Sequence, residues 1–276
     1  MTSPLLKKPA GTHGCLQSLS IAGAKADCPN WGYVGFEAHV LKAGETLSQA
    51  TGDMEHCLVI LTGRMTAQVN GQDMGELGSR MDLFTREKAH SLYVPNDATW
   101  TITATTDLEV AICAAPGKGG HKPSVIKPTP EALEARGTGA NSRYVNPFLM
   151  EDVDLADHLL VVEVWTPNGN WSSYPSHKHD TDAYPAETYL EETYYHRINP
   201  PTGFGVQRVY NDDRSLDETM TIEDRDLVLV PEGYHPCGAL YGHDLYYLNV
   251  MAGPLRKWRF QNDPDHDWVF QRDLKG

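Results

Sequence analysis

The sequence has no long apolar stretch, few basic residues and few cysteines, and each shortage excludes a class of protein. No apolar run approaches the ~20 residues needed to cross a bilayer, and the N-terminus lacks the apolar core of a secretory signal. We therefore expect a cytoplasmic protein without a membrane partner. With 37 acidic against 23 basic residues the net charge is -14, which disfavours a nucleic-acid partner. The five cysteines include no CxxC pair, so neither a disulfide framework nor a thiolate zinc site is indicated.

Helical periodicity is also scarce, and short runs of β-branched and aromatic residues take its place. Examples are CLVILTG and LEVAICA in the first half and LLVVEVW and LYYLNVM in the second. This pattern predicts an all-β sandwich or barrel fold. A stretch rich in Gly, Pro and Lys separates the halves and is typical of a linker. We expect domains at residues 1–115 and 150–276, joined by a linker at 116–149.

The two halves resemble each other. A strand entering a turn occurs in EHCLVILTG and again in EETYYHRIN. A Val-Pro step followed by a strand occurs in SLYVPNDATWTITATTDLEVAIC and again in LVLVPEGYHPCGALYGHDLYYLNV. Two copies of one β unit is the simplest explanation.

The second half contains a His-x-His motif within WSSYPSHKHD. Because side chains alternate along a strand, His177 and His179 share a face while Lys178 points the other way. Two imidazoles can share a metal ion, but a stable site needs one or two further ligands. On its own, such a pair is more often a surface or pH-sensitive pair than a metal site.

Further ligands follow in the order that cupin barrels use, with a glutamate at the head of a strand and a histidine after a Pro-x-Gly turn. The cupin pattern places the glutamate seven residues before a turn glycine. From Glu192 that count reaches Asn199, a good turn residue, whereas from Glu191 it reaches Ile198. We therefore predict that Glu192 is a ligand and that Glu191 faces outward. The predicted ligands of a divalent metal are His177, His179, Glu192 and His235.

The first half does not repeat this set. Counting seven residues back from Gly63 reaches His56, and Thr99 takes the place that His235 has in the second half. No His-x-His motif precedes them. The N-terminal copy is thus predicted to lack metal ligands and to be structural or oligomer-forming.

Several segments resemble a known family: GNWSSYPSHKHD, LEETYYHRINPPTGFGVQRVYNDDRSLDETM, LVLVPEGYHPCGALYGHDLYYLNVMAGP and NDPDHDW. They are similar to the 5-deoxy-glucuronate isomerase family of bacterial inositol catabolism, related to 4-deoxy-L-threo-5-hexulosuronate ketol-isomerase. The resemblance covers most of residues 150–276 and is weaker in the first half. Ser176 and His196 depart from the family, which tends to have proline and tyrosine there. Neither residue is a predicted ligand.

The resemblance implies a bicupin of two tandem jelly-roll-like β-barrels, and an aldose–ketose isomerisation of 5-deoxy-D-glucuronate to 5-dehydro-2-deoxy-D-gluconate. A divalent metal, with zinc first and manganese, iron or nickel open, could stabilise the negative charge of an enediolate. The partner would be a small sugar acid, and cupin barrels often form homo-oligomers.

A sugar acid needs a cation for its carboxylate and donors for its hydroxyls. Arg208 is the predicted carboxylate partner if it faces inward, and an ordinary solvated arginine if it does not. Tyr174 and Tyr247 are predicted hydrogen-bond donors, although aromatic residues also fill barrel cores. Tyr194 shares the face of Glu192 and should border the metal. The alternatives are a metal-dependent cupin dioxygenase acting on a small acid, and a non-enzymatic sugar-acid sensor.

Overall fold

The fold is a computed structural model that describes residues 3–273, and it is built almost entirely of strands. The N-terminal half contains β1 (Leu6–Lys7), β2 (Gly14–Leu19), β3 (Gly35–Leu41), β4 (Thr46–Ala50), β5 (Met54–Thr62), β6 (Met65–Val69), β7 (Gln72–Leu77), β8 (Ser91–Val94), β9 (Thr99–Ala104) and β10 (Leu108–Pro116). The connecting segment contains β11 (Ser124–Ile126), β12 (Glu134–Arg136) and β13 (Arg143–Leu149).

The C-terminal half contains β14 (Leu160–Thr166), β15 (Trp171–Ser172), β16 (His177–Lys178), β17 (Glu191–Asn199), β18 (Gly205–Tyr210), β19 (Asp217–Ile222), β20 (Leu227–Val230), β21 (Cys237–Ala239), β22 (Asp244–Ala252) and β23 (Gln261–Asn262). The helices are α1 (Ile21–Ala24) and α2 (Asp267–Asp273), with short 3-10 turns at Leu83–Thr85 and Gly139–Asn141. Within residues 3–273, no helix has the length and apolar character required to span a membrane.

Both halves use the same plan of one large and one small sheet. The large N-terminal sheet contains the order β8-β5-β10-β3, and the large C-terminal sheet contains β20-β17-β22-β14. Corresponding strands have equal lengths of four, nine, nine and seven residues. The small sheets are β4-β9-β6-β7 and β15-β21-β18-β19. This all-β, jelly-roll-like duplication agrees with the prediction from the sequence.

The central strands are buried on both faces because the two large sheets pack against each other. In β9, Trp100 and Ile102 alternate with exposed or partly exposed threonines and point into the N-terminal half. In β14, by contrast, all seven residues are buried. One hydrophobic cluster joins the two halves, and the rings of Phe36 and Tyr195 meet within it at 5.4 Å between centroids. Strands covered on both sides favour continuous apolar runs over alternation.

Two buried glutamates at corresponding positions bind the halves together. Glu55 accepts hydrogen bonds from three consecutive backbone N–H groups, at residues 157–159 of the other half, over 2.7–2.8 Å. Glu191 accepts three from Gly32, Tyr33 and Val34. As predicted, Glu191 faces away from the predicted metal ligands. It is nevertheless fully buried, because that face of the strand packs against the other half.

Ion pairs and edge strands reinforce the same interface. Arg80 donates to Glu163 across the halves at 2.8 Å, and both side chains are buried.

The segment predicted as a linker contains strands that extend both large sheets, because β11 pairs with β8 and β12 pairs with β13. At the N-terminus, β1 crosses to pair with β20 of the other half.

Candidate metal centre

Three histidines and one glutamate converge inside the C-terminal half. The ligand nitrogens of His177, His179 and His235 all lie within 4.8 Å of one another. Glu192, near the start of β17, places Oε2 2.9 Å from Nε2 of His179 and 3.0 Å from Nε2 of His235. The structure therefore brings together all four residues predicted as ligands. His177 is partly exposed and the other three are buried.

Backbone carbonyls fix the orientation of two of the imidazoles. Nδ1 of His179 lies 3.1 Å from the carbonyl oxygen of Leu190, and Nδ1 of His235 lies 2.8 Å from that of Gly233. A donor nitrogen held in this way leaves the opposite Nε2 as the coordinating atom. Gly233 has a φ of 83°, and a Cβ there would lie 2.3 Å from the carbonyl oxygen of Tyr210. The turn that aims His235 therefore requires glycine.

The environment of His235 fits a divalent metal ion. Its Nε2 is buried and makes no hydrogen bond within residues 3–273, although the carboxylate of Glu192 is only 3.0 Å away. A buried imidazole nitrogen that makes no hydrogen bond is available to coordinate an ion, and the carboxylate oxygen beside it is a second ligand atom for the same ion. Asn249 donates to the second oxygen of Glu192, which fixes the carboxylate. Three imidazoles and one carboxylate suit zinc and other first-row divalent ions.

The electrostatics of the group favour ligand protonation states. Burial, and then repulsion from His235 and His179, holds the pKa of His177 well below its usual value. Burial would raise the pKa of Glu192, but the neighbouring His235 and His179 hold it well below its usual range. For His179, burial is outweighed by the attraction of Glu192, which raises its pKa. A bound cation would displace that proton, since metal ligands must be deprotonated.

An inner chamber of about 50 Å³ adjoins the ligands and opens into a wider cleft of about 380 Å³. Val162 and Val164 form apolar walls of the chamber, and Phe260 lines the cleft. The residues that line both spaces are Arg136, Arg143, His177 and Trp258. Arg136 pairs with Glu134, and Arg143 donates to the carbonyl oxygen of Asn141 at 3.0 Å. Two guanidinium groups therefore stand between the cleft and the metal ligands.

Two tyrosines and one serine, Tyr194, Tyr247 and Ser173, line the inner chamber, and Ser172 lies behind them. The Tyr247 hydroxyl lies 2.7 Å from Oγ of Ser172 and 3.2 Å from Oγ of Ser173. The Tyr194 hydroxyl lies 2.9 Å from Oγ of Ser173. Burial raises the pKa of both tyrosines, so both hydroxyls stay protonated at neutral pH. Tyr194 also meets the His235 ring at 5.8 Å between centroids, next to the ligands.

The other predicted site residues lie farther from the ligands. Tyr174 lines the outer cleft but not the inner chamber. Arg208 binds Asp217 through two hydrogen bonds of 2.7 Å on the solvent side of β18. Its neighbour Gln207 is fully buried, so strand alternation directs Arg208 outward, and this corrects the expectation that it faces the pocket. Lys178 points away from the ligands and pairs with Asp212 at 2.6 Å.

Sequence reasoning missed Arg136 and Arg143 because both lie in the segment interpreted as a linker. Their strands, β12 and β13, extend the large C-terminal sheet next to β14. One signal in the sequence could have found them. The segment EARGTGANSRYV contains two arginines flanking a turn-rich stretch, immediately before a β-branched and aromatic run.

A family model described as the KduI/IolB family matches residues 5–269. The chain belongs to the KduI/IolB family. A family relative from Geobacillus kaustophilus, named 5-deoxy-glucuronate isomerase, is 54% identical over 244 residues, which are 88% of each chain. A relative of the same name from Bacillus licheniformis is 45% identical over 98% of this chain and all of its own.

Solved structures agree with this family assignment. The crystal structure of an IolB-like protein from Salmonella typhimurium has a TM-score of 0.92 and 48% identity, covering 96% of this chain and 99% of that one. The oxalate decarboxylase of Lactobacillus farciminis has a TM-score of 0.62 and 12% identity, covering 95% of this chain and 89% of that one. The second likeness concerns the fold alone.

Proposed function

We propose that this protein is an aldose–ketose isomerase that converts 5-deoxy-D-glucuronate to 5-dehydro-2-deoxy-D-gluconate in inositol catabolism. The main support is the name 5-deoxy-glucuronate isomerase on relatives 45–54% identical over most of the chain. The geometry suits that chemistry. The inner chamber has metal ligands, protonated tyrosines and guanidinium groups on its walls, and together with the adjoining cleft it offers room for a small sugar acid.

The reaction moves a proton from C2 to C1 through an enediol, so negative charge develops on two neighbouring oxygens. The residues proposed to hold a divalent ion are His177, His179, Glu192 and His235, and such an ion would stabilise that charge. We propose zinc as the ion, because imidazole and carboxylate ligands in a four-residue set suit it.

The surrounding side chains supply binding and hydrogen bonding. Arg143, at the mouth of the inner chamber, is proposed to bind the substrate carboxylate, with Arg136 beside it. Guanidinium groups bind carboxylates through paired hydrogen bonds. The hydroxyls of Tyr194 and Tyr247 donate hydrogen bonds to substrate oxygens, and their link through Ser173 keeps both oriented. Trp258 and Phe260 give one side of the entrance an apolar wall.

An anaerobic assay with 5-deoxy-D-glucuronate, followed by NMR, tests this function. The wild type should form the ketose without consuming oxygen, and His177→Ala should lose both metal and activity. His177 is partly exposed, so this variant is expected to fold. A metal-loaded wild type that leaves the substrate unchanged anaerobically, but consumes oxygen with a small acid in air, would favour the dioxygenase alternative.

A cytoplasmic location and a homo-oligomeric state are part of the same proposal. The location is proposed from the sequence, and the oligomeric state from the frequent association of cupin barrels into homo-oligomers. Sedimentation analysis of the purified protein tests the second, since a species of monomer mass at all concentrations would exclude it.

A further inference from the structure

The N-terminal half contains a cavity of about 590 Å³ that the isomerase chemistry does not use. It lies where β3, β4, β5 and β10 meet, and α1 passes across it. His56 on this wall pairs with Val94 of β8, as Glu192 pairs with Val230 of β20. This N-terminal chamber therefore corresponds in position to the metal-binding chamber of the other half.

His56 presents a hydrogen-bond donor to the N-terminal chamber. Its side chain is only 7% exposed, and its Nδ1 accepts a hydrogen bond of 3.0 Å from the indole N–H of Trp100. Because Nδ1 is the acceptor, the proton of the neutral ring sits on Nε2. That Nε2 has no hydrogen-bond partner among the residues the structure describes. Burial lowers the pKa of His56 to about 4, so the ring is neutral at pH 7.

Glu37 presents an acceptor to the same chamber. Its Oε2 lies 2.7 Å from Nε2 of His39 and 2.8 Å from Nε2 of Gln49, which fixes the carboxylate between the two sheets. Its Oε1 has no hydrogen-bond partner in the described part of the chain. The hydrogen bond from His39 is the main cause that lowers the pKa of Glu37. Glu37 is therefore a charged acceptor at neutral pH.

The remaining walls are mainly apolar, with charge only at the rim. Ile21, Met54 and Ile112 line the chamber, while Lys25 and Asp53 are exposed at its edge. Hydroxyl groups can both accept from His56 and donate to Glu37, whereas the C–H faces of a ring suit the apolar wall. An anion would be repelled by Glu37, and an ammonium group would face the His56 donor.

We propose that the N-terminal chamber binds a neutral polyhydroxylated small molecule, a polyol or uncharged sugar, with its hydroxyls on His56 and Glu37. The site is separate from the metal centre and does not depend on the isomerase function. Its selectivity is opposite to that of the C-terminal chamber, which presents arginines and favours a carboxylate.

Isothermal titration calorimetry with two matched probes tests this site. Methyl β-D-glucopyranoside is neutral, methyl β-D-glucuronide carries a carboxylate, and neither has the free aldehyde that isomerisation needs. The protein is used metal-loaded and in a His177→Ala form, so that binding at the catalytic chamber can be recognised. We expect the neutral glycoside to bind both forms, with at least a tenfold preference over the glucuronide in the His177→Ala form.

Three variants assign the binding to the N-terminal chamber. His56→Ala should weaken the neutral glycoside about ten- to hundredfold. Glu37→Gln should let the glucuronide bind about as tightly as the neutral glycoside, a gain of binding that loss of folding would not produce. Ser48→Ala is the matched control, because Ser48 lies beside Gln49 on β4 but faces solvent and bonds Thr101. It should bind like the wild type.

Two outcomes would overturn the proposal. One is the absence of saturable binding of the neutral glycoside, or binding that both His56→Ala and Glu37→Gln leave unchanged. The other is occupation of the site by a cation. The ligand atoms of Cys15, Glu37 and His39 lie within 4.8 Å of one another. A second metal ion per chain, lost on Cys15→Ser, would therefore identify a metal site instead.

Discussion

The two halves place different chemistry at the same positions of the same strand plan. Glu192 of the C-terminal half and His56 of the N-terminal half occupy equivalent register positions. Two strands along each large sheet, the carboxylate is in the N-terminal half instead. There, Glu37 on β3 corresponds to Val162 on β14. The fold therefore determines where a chamber forms, while single residues on its walls determine whether the chamber suits a metal and a sugar acid or an uncharged ligand.

The sharpest test of this difference concerns metal binding and should give the largest effect. His235→Ala removes a ligand and should abolish stoichiometric metal binding, lowering kcat/KM by about 10²–10³-fold because charge on the reacting oxygens is no longer stabilised. The N-terminal counterpart, Thr99→Ala, should leave both unchanged. Metal analysis by mass spectrometry and the anaerobic assay measure the two quantities. Equal metal loss in both variants would contradict the assignment.

The second test concerns the cation of the C-terminal chamber. Arg143→Met should lower kcat/KM about 10- to 100-fold, since a charged hydrogen bond to the carboxylate contributes roughly 1.5–3 kcal/mol. Arg208→Met is the matched control, because Arg208 binds Asp217 at the surface. It should change kcat/KM less than twofold. A larger loss of kcat/KM with Arg208→Met than with Arg143→Met would indicate that Arg208 binds the substrate carboxylate.

The third test asks whether the halves depend on each other equally. Glu55→Ala leaves two buried and one partly buried backbone N–H group and the Tyr93 hydroxyl without their acceptor, and should cost about 3 kcal/mol or more of unfolding free energy. Glu191→Ala should cost a similar amount. Denaturant unfolding measures both, with the half-exposed Glu134→Ala as a control near zero. A large loss at one glutamate alone would contradict reciprocal support.

The smallest effect concerns pH and the N-terminal half. His56 has a pKa of about 4 in the fold against about 6.5 in the unfolded chain. Between these values the unfolded chain binds the extra proton, so stability is complete above pH 6.5 and falls as the pH is lowered toward 4. At pH 5 the loss is about 2 kcal/mol. The unfolding free energy of His56→Gln should change less between pH 7 and pH 5 than that of the wild type. An equal change in the two proteins would contradict this role of His56.

The sequence was a good guide where one periodicity decides the answer. Alternation along strands correctly placed Tyr194 on the same face as Glu192 and directed Lys178 away from the metal ligands. The count to the turn at Asn199 distinguished Glu192 from its neighbour. Sequence reasoning failed where packing against the other half decides whether a residue is buried. Glu191 is buried because the other half covers it.

The arginines show a related limit. Arg208 stands on a recognisable strand, but its strand alone does not reveal which face is inside. Arg143 lies in a Gly- and Pro-rich segment whose composition hides a strand, β13, which lies between β14 and the edge strand β12. The strand forms by pairing with β14, the next strand along the chain. The composition of the segment itself does not reveal that pairing.

The paired glutamates Glu55 and Glu191 have a consequence for how such a chain can evolve. Each half supplies a carboxylate that accepts hydrogen bonds from a loop of the other half. Deleting or replacing either half would therefore leave backbone N–H groups of the other without an acceptor. A copy that lacks the three-histidine set of the other half is thereby protected from loss. It is free to acquire new wall residues, while the loops at 32–34 and 157–159 must keep their length and shape.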